Sequence, residues 1–321
     1  MDSLEPGELR WIATAPIGAA SVLAEELACF GAGRVRERSR DVRFEGPLEV
    51  GYRTCLWSRA ATRVYLALGA FEAASAAELH AALVRLDWRE HIGANETIAC
   101  SASGANAALR HTLYVAQLLK DAVCDGLRAS TGARPDVRPR RPDVLLHLHV
   151  EGATAQLAID FSGESLHRRG YRLSGGRAPL KENVAAAVLL RAGWPAVCAG
   201  GGPLVDPMCG SGTFLIEAAA IAADAAPGLE RDYFGFTGWR GHDAALWGRL
   251  CAEARERRAA RAPRRCIHGF DADADAVRAT LANAEEAGFA PWLHAERRAL
   301  SAQRRPPGAA GLLVCNPPYG E

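Results

Sequence analysis

Lysine is nearly missing from this 321-residue chain: only Lys120 and Lys181 occur, and arginine supplies the other 36 of the 38 basic side chains. Alanine is abundant too, a pairing that a GC-rich genome explains, so the arginine excess by itself is no sign of a polyanion partner. Net charge is also nearly absent, at +1, and bulk electrostatics announce no partner either. Long hydrophobic runs are lacking. The longest, such as Val184 to Leu190, fall far short of the ~18 apolar residues that span a bilayer. The opening residues, MDSLEPGELRW, have neither a basic segment nor an apolar one, so no secretory signal is expected. Nine cysteines are scattered without C-x-x-C or finger-like spacing, which excludes a zinc finger and a disulfide framework. Mostly buried free thiols in a reducing cytoplasm are expected instead. With 49% hydrophobic and 23% charged residues, the chain is neither disordered nor fibrous. Its length suggests about two domains.

Short strands and helices alternate in the first half, which predicts an α+β fold. Strands are expected at Leu9 to Ala13, Val42 to Phe44, Arg63 to Leu68 and Thr97 to Ser101. Helices are expected at Gly18 to Phe30, Leu48 to Ser58 and Ala76 to Arg85. His111 to Arg128 reads as a long amphipathic helix carrying Leu113, Ala116, Leu119, Val123 and Leu127. The Pro/Arg-rich stretch RPDVRPRRPD follows, then two strands turning at Glu151-Gly152. His147 and His149 share one face of the first of these strands. With no third ligand in view they read as solvated strand histidines, and no metal site is expected. The polar, glycine-rich stretch from Gly163 to Pro179 suits a linker. Beyond it, strands alternate with helices, the pattern of a doubly wound, mostly parallel sheet.

Three constellations in this second half carry chemistry. In LVDPMCGSGTF, Leu204 to Phe214, an acid ends an apolar strand, Gly210 and Gly212 make the turn, and a helix begins. Glycines let backbone approach a ligand, and a helix N-terminus offers unpaired N–H groups to an anion. On spacing alone a nucleotide-type turn and a plain tight turn stay equally open. Leu215 stands where the dinucleotide pattern needs its third glycine, which argues against NAD. The second is Asp271, at the end of the strand CIHGF, where an acid can bind both hydroxyls of a ribose. It lies 65 residues after Asp206, so an arginine-bearing insert, roughly Pro227 to Arg265, separates them. Helix capping by Asp271, Asp273 or Asp275 is the simpler alternative, and one of them is expected to cap. The third is Asn316-Pro317-Pro318-Tyr319, directly after an apolar strand. Two prolines remove two donors. The Asn316 side chain and the Pro317 carbonyl remain as directed acceptors for a planar amine, and Tyr319 can stack on its base.

Taken together, DPMCGSGTF, GFDADADAVRATLANAEEAG and NPPYG resemble a class I S-adenosylmethionine (SAM) dependent methyltransferase acting on an exocyclic amine. SGESLHRRGYR, APLKENVAAAVLLRAGW and APGLERDYFGFTGWRGHD extend the resemblance to bacterial 23S rRNA guanine-N2 methyltransferases of the RlmL type. WSRAATRVYLALG and RPDVRPRRPDVLLHLHVEG are similar to that family's ferredoxin-like segment and its THUMP domain, an RNA-binding module. The resemblance implies a ferredoxin-like segment over residues 1–52, a THUMP domain over 53–163, a linker over 164–179 and a Rossmann-like methyltransferase domain over 180–321. That last domain is expected to be incomplete at its carboxyl end. For the cofactor the resemblance implies Asp206, Pro207, Cys209, Gly210, Gly212 and Phe214 around the methionine end, Asp271 on the ribose, and Asn183 in the covering segment. Asn316 to Tyr319 become the catalytic residues. Arg298 stands where the family often has an acid for the adenine. Lys120, Arg138, Arg140, Arg141, Arg168, Arg169 and Arg172 are the expected RNA contacts, a solvated arginine loop being the alternative. The implied partner is 23S rRNA, naked or partly assembled, with no membrane and no metal. A THUMP-type tRNA methyltransferase, or an RNA-binding module without activity, are the alternatives.

Overall fold

The computed structural model describes residues 7–93, 95–173, 180–304 and 309–317. The first half builds β1 (Leu9–Thr14), α1 (Ala20–Cys29), β2 (Gly33–Glu37), β3 (Asp41–Gly46), α2 (Leu48–Trp57), β4 (Arg63–Glu72), α3 (Ala76–Val84), β5 (Thr97–Ala105), α4 (Thr112–Thr131), β6 (Asp136–Val137), β7 (Val144–Glu151) and β8 (Thr154–Asp160). These strands form one sheet in the order β2-β3-β1-β4-β8-β7-β5-β6. Among the described residues of this sheet, only the β5–β7 and β5–β6 pairs are parallel. Period-2 alternation decides which face is covered. Trp11 and Ala13 of β1, Val42 and Phe44 of β3, and Val144, Leu146, Leu148 and Val150 of β7 are buried beneath the helices. Helix α4 packs through Val115, Leu118, Leu119, Val123 and Leu127 and ends at Gly132, whose φ of 78° suits a residue without Cβ. Leu113, expected on that stripe, is exposed.

The second half builds α5 (Glu182–Arg191), α6 (Trp194–Ala199), β9 (Leu204–Asp206), α7 (Thr213–Ala222), α8 (Ala244–Ala259), β10 (Ile267–Asp271), α9 (Ala274–Glu286), β11 (Leu293–Arg297) and β12 (Leu312–Leu313). Among the described residues its sheet is parallel throughout, in the order β11-β10-β9-β12. Gly269 lets α7 lie close on β10: a Cβ there would meet Leu215 Cδ1 at 2.2 Å. No described helix is long and apolar enough to cross a membrane.

Three features depart from the sequence reading. The division placed after Tyr52 falls inside α2, a continuous hydrogen-bonded rod. The stretch read as a linker is packed over residues 164–173: Tyr171 is buried, and Arg169, with its side chain 5% exposed, pairs with Glu217. Residues 174–179 lie outside the described set. The insert between α7 and β10 contributes more than arginines. Phe234, Phe236, Trp239 and Leu250 belong to the core of the first half. The Phe236 ring lies 4.6 Å from Tyr52 and 5.2 Å from Phe161. Arg53 forks onto Glu253 of α8 at 3.0 and 2.8 Å, and Arg257 sits 4.0 Å over the Trp57 ring. The insert is therefore a strap joining the two halves.

Candidate active site

The site lies at the carboxyl ends of β9, β10 and β12, where open parallel sheets bind ligands. Asp206 ends β9 with its side chain buried, and Oδ1 accepts the Met208 N–H at 3.1 Å. Burial raises its pKa to about 7; the Met208 N–H opposes this and the Asp271 charge adds to it. The turn then runs to Gly212, whose φ of 84° forms the N-cap of α7. No described side chain caps that helix, so its first N–H groups are left to form an anion site. A Cβ on Gly212 would meet Thr280 Cγ2 at 2.8 Å.

Helix α9 holds the turn in shape. Thr280 Oγ1 donates to the Gly210 carbonyl at 2.8 Å, and Asn283 Nδ2 donates to the Ser211 carbonyl at 3.0 Å. Asp271, ending β10, accepts the Gly210 N–H at 3.0 Å on one oxygen and the Asp273 N–H at 3.0 Å on the other. Its carboxylate is thus oriented and keeps lone pairs for a diol. The helix capping expected in this run falls to Asp273, which accepts the Asp275 N–H at the start of α9. Cys209 is buried beside Thr280, and burial pushes its thiol up to about 12. β12 pairs in parallel with β9, Leu313 opposite Val205, and Val314 N–H donates to the Val205 carbonyl at 3.0 Å. That register puts Asn316 and Pro317 just beyond the strand end, next to the turn that starts at Asp206. Pro318 and Tyr319 lie outside the described residues.

The structure thus gathers Asp206, Pro207, Cys209, Gly210, Gly212, Asp271 and Asn316 at one edge. Phe214 offers only its backbone there, because its ring is buried in the methyltransferase-like core. Asn183 does not join them. Its amide is buried and donates to Thr62 Oγ1 at 2.9 Å, tying α5 to the first half. Arg172, expected on RNA, is instead part of the site: it donates to Glu182, to the Leu180 carbonyl at 2.9 Å, and to Ser211 Oγ and Thr213 Oγ1 at 3.3 and 3.2 Å. Arg169 is likewise committed, donating to Glu217 and to the Arg59 carbonyl. Arg141 forks onto Asp232 of the insert at 2.8 and 3.0 Å, and Lys120 pairs with Asp121 at 2.6 Å. Arg138, Arg140 and Arg168 are exposed. Arg298 lies 4.3 Å over the Phe270 ring. Thr280, Asn283 and Gly269 were missed from sequence. The available signal was polar residues three apart on the buried stripe of α9.

Comparison with known proteins follows this division. Residues 10–65 match the RlmL ferredoxin-like domain, 73–160 the THUMP domain and 169–321 the RMKL-like methyltransferase domain. A ribosomal RNA large subunit methyltransferase K/L of Methylococcus capsulatus is 48% identical over 312 residues, 97% of this chain and 42% of the relative. The chain therefore spans less than half the length of that curated relative. A crystal structure described as a putative methyltransferase complexed with SAH is 31% identical, with a TM-score of 0.84 over 99% of this chain and 82% of that one. A protein described as a predicted N6-adenine-specific DNA methylase, from Listeria monocytogenes, is 30% identical, with a TM-score of 0.86 over 98% and 80%. On these matches the chain belongs to the RMKL-like methyltransferase family, with the RlmL ferredoxin-like domain and a THUMP domain preceding its methyltransferase domain.

Proposed function

We propose that the protein transfers a methyl group from SAM to the exocyclic N2 amine of a guanine in 23S rRNA, naked or partly assembled, in the cytoplasm. One observation carries the reading: a buried Asp206 carboxyl stands beside the uncapped N-terminus of α7. That pair suits a ligand bearing a cationic centre next to a carboxylate, which is the methionine end of SAM. Asp271, steadied by two N–H groups, suits a ribose diol. When bound, SAM supplies a methyl group on a sulfonium, an electrophile that needs no further activation.

The chain's own residues then have a positioning task. Asn316 and the Pro317 carbonyl accept hydrogen bonds from the amine and aim its lone pair. No strong base is required before attack, since the proton can leave afterwards. The guanine must leave its stack to reach this edge. Exposed Arg138, Arg140 and Arg168 meet phosphate. All nine cysteines are free, which is compatible with a reducing compartment.

The test is methyl transfer from tritiated SAM to undermodified 23S rRNA, followed by nucleoside mass spectrometry. N2-methylguanosine supports the reading. Label in N6-methyladenosine would favour the chemistry named for the Listeria relative, and label only in tRNA would move the substrate. Unchanged SAM affinity in Asp271→Ala, measured by calorimetry, would overturn the ribose assignment.

A further inference from the structure

The uncovered face of the eight-stranded sheet holds a second built site. Arg38, at the tip of the β2–β3 hairpin, lies 3.6 Å from Glu151 at the end of β7. In a flat sheet those strands stand five spacings, about 24 Å, apart. The hairpin tip therefore arches over the open face and encloses a cavity of about 370 Å³, within the roughly 300–1,000 Å³ that holds small ligands.

Its wall is polar and ringed. Tyr65 stacks on His147, with centroids 5.0 Å apart and planes at 28°. A hydrogen-bonded chain runs from Ser101 to His147 Nδ1 at 2.8 Å, from His147 Nε2 to Ser103 at 2.9 Å, and from Ser103 to His149 Nδ1 at 2.8 Å. These histidines are not solvated strand residues. Burial, with the neighbouring His149 and Arg63, lowers the His147 pKa to about 4, so its ring is neutral and can keep both bonds. Among the described residues the Tyr65 hydroxyl and His149 Nε2 have no partner. Asp41 Oδ1 and Arg43 Nε, 3.6 Å apart, are buried without a hydrogen bond. The described acids of the face have arginines: Asp41 has Arg43, Glu45 has Arg10 and Arg34, Glu151 has Arg38 and Asp160 has Arg63. Among the described residues that line the cavity, Arg40 is the cation without an acid partner.

Flat rings, converging unpaired donors and acceptors, and one surplus cation match one unpaired nucleotide: base inside, phosphate at Arg40. We propose that this cavity anchors a single-stranded RNA nucleotide remote from the methylated base, which rests on the RNA reading above. The placement fits. Helices α5 and α8 pack against α1 and α2, so the methyltransferase domain sits on the opposite, helical side of the sheet.

The test uses the 321-residue chain, with anisotropy of labelled single-stranded RNA hexamers, a duplex of the same length and guanosine monophosphate as competitor. The double variant Arg40→Ala/His149→Ala should lose about 10-fold or more in hexamer affinity, the worth of one stacked and charge-paired base, with SAM affinity unchanged. Tyr65→Phe, which keeps the ring, should lose less. Ultraviolet crosslinks should fall on the peptides bearing Tyr65 or His147. Unchanged hexamer affinity in the double variant, crosslinks confined to the Arg138–Arg141 loop, or mononucleotide binding as tight as the hexamer would each overturn the anchor. A wild-type chain that binds no RNA while binding SAM would overturn the RNA reading as well.

Discussion

Asp206 offers the sharpest test of the cofactor assignment, because it makes SAM binding a proton-linked event. Its carboxyl is buried with a pKa of about 7, so in the free protein at pH 6 about nine molecules in ten carry the proton. A cation against it favours the carboxylate. If SAM brings its ammonium there, binding at pH 6 expels close to one proton, and affinity falls about fivefold from pH 7 to pH 6. Above about pH 8 the ligand's own α-amine loses its charge, so affinity should peak between these limits. The thiols alongside do not confuse the profile: burial pushes Cys209 up to about 12 and raises Cys315, so both stay protonated. Calorimetry at pH 6 in buffers of different ionisation enthalpy counts the proton. Asp206→Asn should abolish both the proton release and the acid limb. An affinity flat from pH 5.5 to 7, or an acid limb surviving in Asp206→Asn, would refute the pairing.

The same shift sets a stability profile. Between the ordinary carboxyl pKa of 3.8 and about 7 the folded state holds a proton that the unfolded state has lost. The Asp206 contribution to stability therefore falls as pH rises through that window, by about 4 kcal/mol in all, and is flat above it. Asp206→Asn should accordingly raise Tm at pH 8 and leave it unchanged below pH 4, an order visible by calorimetric scanning.

Other substitutions separate the remaining roles. Gly212→Ala puts a Cβ 2.8 Å from Thr280 at a φ of 84° and should cost about 1–3 kcal/mol along with SAM binding, whereas Gly248→Ala, in open space on α8, should stabilise by up to about 1 kcal/mol; denaturant melts compare them. Arg169→Ala strands the buried Glu217 carboxylate and should cost about 3–5 kcal/mol without changing the salt dependence of RNA binding. A slope reduced by about one would return Arg169 to the RNA surface. Asn316→Ala should remove methyl transfer and leave SAM affinity unchanged in calorimetry; a parallel loss of SAM affinity would place Asn316 on the cofactor.

Much of the site was legible because its logic is local. A strand ending in Asp206, two glycines and a helix start, then Asp271 at the next strand end, are patterns a few residues long, and the backbone alone brings them to one edge. Arginine was illegible for the opposite reason. Arg168, Arg169 and Arg172 read alike in sequence, yet one is 70% exposed, while the other two are held in ion pairs, the Arg169 side chain buried and that of Arg172 partly so. What an arginine does depends on which acid folding brings to it, and Glu217 and Glu182 arrive from other elements. The insert shows the same limit. Its Phe236 packs on Tyr52, some 184 residues earlier, and no period reveals that. Helix α8 was missed because only Leu250 and Ala254 are buried along its length, too few for a visible stripe. The His147–His149 pair was placed on the correct face, but the arched hairpin that encloses it comes from the far edge of the sheet.

Helix α7 ties these observations into one mechanical statement. Its N-terminus receives the cofactor turn. Its C-terminus is capped from the other half, where buried Arg59 donates to the Ala220 and Ala225 carbonyls at 3.3 and 2.8 Å, a cation at the negative end of the helix. Midway, Glu217 accepts from Arg169 and from the Tyr171 hydroxyl. Domains in one chain move by default when their interface is small and polar. Here the interface includes the insert's aromatic cluster and buried charges whose separation is costly. The ferredoxin-like side and the turn at the start of α7 are thereby held about one helix length apart, roughly 15 Å for ten residues. On the proposed RNA substrate, with the protein's span fixed, the nucleic acid would supply the adjustment. A base would then reach Asn316 from a bound strand by leaving its stack, so a preference for loosened or single-stranded substrate is the expected consequence of how the two halves are joined.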